Sequence, residues 1–250
     1  MTNSHIVIGS GPHKVIGLHG WFGSAKGWGP LHQVLDTGRF TYAFMDYRGY
    51  GGSMARTGEY TIEEIAADTL ELADFLQWER FSLIGHSMGA KAIQRVLLAA
   101  PQRVSKLVAI TPVPASGVPF DEPTWNLFSS AAKDAAARRA IIDFSTGNRL
   151  SGHWLNAMVE HSMQNSTAEA FGAYLPAWAK TDFSQQVEGN RTPIKVIVGA
   201  QDPSLTVEVM EATYLRWYRN ATLDFAIAGH YPMDETPVAL ATSIENFLVA

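Results

Sequence analysis

Gly85-His86-Ser87-Met88-Gly89 stands between an apolar run, Phe81-Ser82-Leu83-Ile84, and a helix-forming stretch over residues 90–100. A strand, a tight turn and a helix in that order can lift a serine hydroxyl clear of its own backbone. Such a turn is strained, and glycines two residues before and two after the serine leave room where side chains would collide with the adjoining strand and helix. A glycine-bearing turn with an incidental serine is the plainer reading of the pentapeptide by itself. The flanking strand and helix favour a nucleophile, which then needs a base, an acid and an oxyanion hole from the rest of the chain.

Working outward, residues 5–8 read as a short strand. Residues 14–18 read as a buried one that runs into His19-Gly20-Trp21-Phe22-Gly23, with a helix from about Pro30, a residue suited to a first helical position. Residues 40–45 form another strand, ending at Asp46-Tyr47-Arg48-Gly49-Tyr50-Gly51-Gly52-Ser53. Thr61 and Glu64 make a capping box, and the helix they open places Ile65, Leu72, Phe75 and Leu76 on one face. The helix after Ser87 stops before Pro101, and residues 107–110 are a continuous apolar run, the mark of a strand covered on both faces. Residues 194–198 and 223–227 supply two more strands. Between them Val207, Met210, Tyr214 and Trp217 share a helical face, and a last helix, capped by Thr236 ahead of Pro237, buries Leu240, Ile244, Phe247 and Leu248.

Strand and helix thus alternate, which implies an α/β fold with a mostly parallel central sheet and helices on both faces. The alternation fails over residues 112–185. That stretch opens with Pro112, Pro114 and Pro119 and reads as three helical segments near 123–143, 151–164 and 167–180. It is expected to be a helical cap, or lid, inserted into a core domain made of residues 1–111 and 186–250. Most of its aromatic residues are expected to pack the cap's own small core.

With 250 residues and 46% apolar composition the chain can bury a substantial core. A net charge of −5 without a long basic run argues against nucleic acid as a partner. No cysteine is present, which excludes disulfides and thiolate metal sites, and the eight histidines show no metal-ligand spacing. No signal peptide and no run of the ~20 apolar residues that spans a bilayer is evident, so a cytoplasmic location, with no membrane contact, is expected.

A base that takes and returns a proton at neutral pH is best supplied by histidine, whose ordinary pKa is ~6.5. His5, His13 and His32 lie in turn or early helix contexts, His153 and His161 in the cap on polar helix faces, and His86 inside the turn, where it packs. His230 follows a strand and precedes the last helix, at the sheet edge where Ser87 emerges. Asp202, in Gly199-Ala200-Gln201-Asp202, ends a strand on that same edge. Its competitor Asp234 falls at the entry to the last helix, and Asp224 lies within a strand. The order Ser87, Asp202, His230 is that of the hydrolase fold built on such turns. Two N–H donors are needed for the developing oxyanion. Met88 is one candidate and Trp21 the other, with Phe22 as the alternative to Trp21. Phe22, Trp125, Phe128, Trp154 and Tyr231 are the pocket candidates.

His19-Gly20-Trp21, the Asp46 to Ser53 segment, Gly85-His86-Ser87-Met88-Gly89, Gly199-Ala200-Gln201-Asp202 and Gly229-His230 together resemble the α/β-hydrolase fold superfamily over nearly the whole chain. The resemblance implies a serine triad, no cofactor and no metal, and a structural role for residues 46–53. Ser87 sets the chain apart from the dehalogenase and epoxide-hydrolase branches, which carry aspartate at that point. Ala90 departs from the third glycine of many relatives, and Lys91 is similar to a subset of short-chain carboxylesterases. The activity implied is serine carboxylesterase-like hydrolysis of small to medium apolar esters, small-molecule substrates being the expected partners. A perhydrolase, a carbon–carbon bond hydrolase or a lactonase could use the same triad, and a non-catalytic ligand receptor is the reading outside enzymes. Oligomeric state stays open.

Overall fold

The computed structural model describes residues 2–250. Its sheet has seven strands: β1 (His5–Gly9), β2 (His13–Leu18), β3 (Phe40–Met45), β4 (Phe81–His86), β5 (Val104–Ile110), β6 (Ile194–Gly199) and β7 (Ala221–Ala226). Their order is β1-β3-β2-β4-β5-β6-β7, with β1 antiparallel to β3 and the other pairings parallel. Strands covered on both faces must be apolar almost throughout. All six residues of β3 and the last four of β4 and of β5 are buried accordingly. At the two edges that demand relaxes, and Val7 on β1 and Phe225 on β7 face solvent.

Helices α1 (Leu31–Val34) and α12 (Pro237–Val249) pack together on one face. On the other, α2 (Ile62–Phe75) packs against α3 (Met88–Ala99), which lies across β2, β4 and β5. Between β5 and β6 come α4 (Glu122–Ser130), α5 (Ala135–Ser145), α6 (Gly152–Gln164), α7 (Ala168–Lys180) and α8 (Ser184–Val187). Helices α9 (Val207–Ala212) and α10 (Tyr214–Trp217) join β6 to β7, and α11 (Pro232–Glu235) precedes α12. Among the described residues no helix is long and apolar enough to cross a membrane.

Several elements depart from the sequence reading, four of them where a polar side chain (Asp36, Glu64, Asp134 or Thr213) takes up backbone groups. Pro30 sits ahead of α1, which lasts one turn; Asp36 ends that region by taking the amides of Gly38 and Arg39 at 3.0 and 3.1 Å. Thr61 caps α2 through Glu64 N at 3.0 Å, but the Glu64 carboxylate reaches past the cap to Tyr60 N (2.9 Å) and Glu59 N (3.2 Å). Phe75, at the end of α2, is 63% exposed rather than buried with Ile65 and Leu72. Residues 123–143 form two helices, because Asp134 accepts from Ala136 N at 2.8 Å and starts a new one. The face from Val207 to Trp217 breaks at Thr213, whose hydroxyl donates to Val209 O at 2.6 Å; Val207 is only partly buried. Thr236 precedes α12 without a side-chain cap, and Phe247 is partly buried beside fully packed Leu240, Ile244 and Leu248. Strand β5 begins three residues before its apolar run, and Ile227 lies beyond β7, exposed.

Residues 112–185 do not keep their aromatic side chains to themselves. Phe171 of α7 stacks on Trp21 at 4.0 Å and takes its indole N–H at 2.8 Å, and Tyr174 packs on Tyr47, Tyr50 and Tyr60. His161 is likewise not on a polar face: its Nε2 lies 3.1 Å from Ser24 Oγ in the loop after β2. Within the same stretch Arg138 is 1% exposed. Its guanidinium donates to Ala131 O (2.8 Å), Ser162 Oγ (2.6 Å) and Ser166 Oγ (3.0 Å) and lies 3.6 Å from the Phe171 ring centre. Burial without a carboxylate partner pushes it down to about 10. One cation thus joins α5, α6 and α7.

Candidate active site

Strand β4 delivers Ser87 with φ +53° and ψ −114°, a left-handed backbone that a β-substituted residue adopts only under constraint. The constraint is visible. Ser87 N–H donates to Ile110 O (3.0 Å), and Ser87 O accepts from Ala90 N (3.0 Å) and Val113 N (3.2 Å). A Cβ on Gly89 would stand 2.1 Å from Leu18 O, and one on Gly85 2.4 Å from Gly89 O, so both neighbours must be glycine. The loop after β2 closes on the same point, since a Cβ on Gly20 would be 3.3 Å from Ser87 Cβ.

Past β6, Asp202 is 5% exposed. Its Oδ1 accepts from Ser204 N (2.9 Å) and Leu205 N (3.1 Å), and its Oδ2 lies 2.6 Å from His230 Nδ1. Burial alone would raise the carboxyl. The charge and hydrogen bond of His230, with the two amides, outweigh it and hold Asp202 below the usual carboxylate range. A carboxylate there fixes the tautomer, with the proton on Nδ1 and Nε2 free to accept.

His230 is held by its backbone from three directions. Its N–H donates to Ser145 O at the end of α5 (3.1 Å), and its carbonyl accepts from Thr111 Oγ1 (3.0 Å) and His86 Nε2 (2.8 Å). His86 therefore carries its proton on Nε2, and burial keeps it neutral by pushing its pKa well down. The sequence reading treats His86 as packing only and passes over Thr111 and Ser145. A left-handed Thr111 (φ +38°) directly after β5 is a backbone signal, and it shows only in the structure.

Trp21 and Phe22 turn sharply after β2, in a turn closed by Gly23 N to Gly20 O at 3.0 Å, and Met88 opens α3. The first N–H groups of a helix have no intrahelical acceptor. His19, ahead of the turn, is stacked on Tyr47 at 3.9 Å, and burial pushes its pKa down to about 4. Asp46 takes the amides of Ala25 (2.7 Å) and Gly52 (3.0 Å), which ties its loop to the one carrying Trp21. Asp234 instead lies against Gly29, its carboxyl pushed up to about 6 by burial. Asp224 binds Ser243 and Lys195 away from the site.

Ser87 and His230 share a cavity of about 80 Å³ with Trp21, Phe22, Phe128 and Tyr231. Trp125 and Trp154 do not line it. Trp125 faces an outer cleft with Lys180 Nζ 3.6 Å from its ring centre, and Trp154 packs edge-on behind Tyr231 at 5.4 Å. The apolar walls that the sequence reading leaves out are Val113, Val118, Phe120, Ile141, Phe144, Trp178 and Leu205, and Ser145 and Ser204 add two hydroxyl-bearing residues to the lining. No lysine or arginine is among the described residues lining the cavity. Among the described residues no group of three His, Asp or Glu side chains is placed to hold a metal ion. A hydroxyl on a strained turn, sharing a cavity with an imidazole braced by a buried carboxylate, is equipped for proton removal and attack on a carbonyl.

A model of the alpha/beta hydrolase family matches residues 15–243. The chain belongs to the alpha/beta hydrolase family. A 3-oxoadipate enol-lactonase of Acinetobacter baylyi is 25% identical to it over 206 residues, 80% of this chain and 75% of that one. A putative carbamate hydrolase of a Caulobacter species is 28% identical over 246 residues, 90% of this chain and 87% of that one. Among solved structures, an esterase from Exiguobacterium antarcticum superposes with a TM-score of 0.87 at 19% identity, covering 98% of this chain and 95% of its own, which shows a shared fold. In alpha/beta hydrolases the Ser, Asp and His of a triad follow one another along the chain in that order. Here Ser87, Asp202 and His230 follow β4, β6 and β7.

Proposed function

We propose that this hydrolase cleaves carboxylic esters of small to medium apolar substrates through an acyl-enzyme. Ser87 Oγ attacks the ester carbon as His230 Nε2 takes its proton, and Asp202 stabilises the imidazolium that forms. The amides of Met88 and Trp21 receive the oxyanion, each donor of this kind being worth ~2.7–4 kcal/mol of barrier. His230 then protonates the leaving alcohol, and afterwards activates water to release the acid. Residues 112–185 act as the lid of the site, since α4, α5 and α7 supply much of the cavity wall.

The observation that carries this reading is the 2.6 Å contact of His230 Nδ1 with buried Asp202, in a cavity that includes Ser87. Ser87→Ala should abolish turnover of p-nitrophenyl butyrate and labelling by a fluorophosphonate. Wild-type levels of either in that variant would sink the assignment. Lactone opening is the second reading. It is favoured by the enol-lactonase relative, a lactone being an internal ester open to the same attack. A panel of neutral lactones beside open-chain esters separates the two.

A further inference from the structure

Lys91 lies one helical turn beyond Ser87 on α3 and is fully buried, 0% exposed. Its Nζ donates to Trp178 O at 2.9 Å and to Thr181 O. Both carbonyls belong to the C-terminal end of α7, where a helix leaves its last carbonyls without intrahelical donors. The next carbonyl between them, Ala179 O, takes Val118 N at 3.0 Å. Trp178 and Val118 are both cavity walls, and the Trp178 ring packs edge-on to Trp21 at 5.5 Å. The residue whose ring bounds the cavity is therefore held, through its own carbonyl, by the helix that begins beside Ser87.

We propose that Lys91 is a positioning residue for the substrate cavity, tying the C-terminal end of α7 and its Trp178 wall to the nucleophile helix. Only the kinetic consequence depends on Ser87 acting as an ester nucleophile; the tether itself does not. Charged groups face Lys91 from α2 (Glu63) and from the segment after α7 (Asp182), and Arg95 shares the Phe183 ring one turn along α3. Burial outweighs the two carboxylates and pushes the amine down to about 7. An uncharged amine has two N–H bonds and meets two carbonyls here.

Lys91→Met keeps the apolar stem as far as Cε and removes the amine with its donors. The KM for p-nitrophenyl butyrate should rise roughly 5- to 10-fold while kcat stays within about 2-fold, because Ser87, Asp202 and His230 are untouched. Hydrogen exchange over residues 168–184 should speed up about tenfold or more relative to α6. Unchanged exchange there in the folded variant overturns the tether, and faster exchange with an unchanged KM overturns the positioning role. If the wild type turns over no ester, the exchange result still stands, and the fault lies with the reading of Ser87. If Lys91→Met does not fold, wild-type protein decides. Between about pH 6 and 8 the ¹³C′ resonances of Trp178 and Thr181 should move with the ¹³Cε of Lys91. Carbonyls that stay still while Lys91 titrates overturn the tether.

Discussion

The edge of the sheet and the cavity above it are built by different means. At the edge, strand ends and backbone hydrogen bonds do the placing: Asp202 is held by two amides, and His230 by its own amide and carbonyl. In the cavity, side chains from α4, α5 and α7 meet loop aromatics, and ring packing shapes most of the wall, with a backbone tie at Trp178. Chemistry set by backbone geometry can be disabled by one polar atom. A cavity set by packing changes by degrees.

The largest effect should come from breaking the edge at one atom. Asp202→Asn keeps the shape but favours the wrong His230 tautomer, and kcat should fall about 10⁴-fold while melting temperature changes little. A loss under tenfold would mean that the pair does not orient the base. Next, Phe171→Ala should cost about 3–5 kcal/mol of stability, read by urea unfolding. Phe171 is fully buried between Trp21 and Arg138. A cost near zero would show residues 112–185 to be independent of the loop that carries Trp21. A graded response is expected in the cavity wall. Phe144→Ala should shift the ratio of kcat/KM for long over short acyl esters by about tenfold, at most a few kcal/mol.

The smallest effect is a slope with pH. Burial pushes His32 from its usual 6.5 down to about 4, with its ring against Phe44 at 4.3 Å. The unfolded chain therefore binds a proton between these values that the folded chain does not, so stability falls as pH drops through that window and levels off below it. In His32→Phe the slope of unfolding free energy between those pH values should flatten. An unchanged slope would place the acid sensitivity elsewhere, with His19 the next candidate.

The same division governs what could be read in the sequence. Ser87, Asp202 and His230 each follow a strand, and strands announce themselves by apolar runs, so their meeting at one edge was legible from topology. Asp234, four residues past His230, was separable from Asp202 for the same reason. Trp125 and Trp154 were not separable from Phe128. Helical spacing marks an apolar face without saying whether that face meets the cavity, a neighbouring helix or an outer cleft. Thr111 acts through a hydroxyl aimed by a left-handed backbone and Ser145 through a main-chain carbonyl, and neither carries a spacing signal in the sequence. Lys91 was legible only as a likeness; its burial and its two carbonyl partners depend on where α7 ends.

The bond from His230 N–H to Ser145 O crosses between the two regions. Its acceptor is the last residue of α5, between β5 and β6. Anyone replacing residues 112–185 with the matching segment of another hydrolase therefore inherits an obligation unrelated to substrate fit. The replacement must bring a carbonyl to the same place, or the transplanted protein will have a new pocket and a loosened His230.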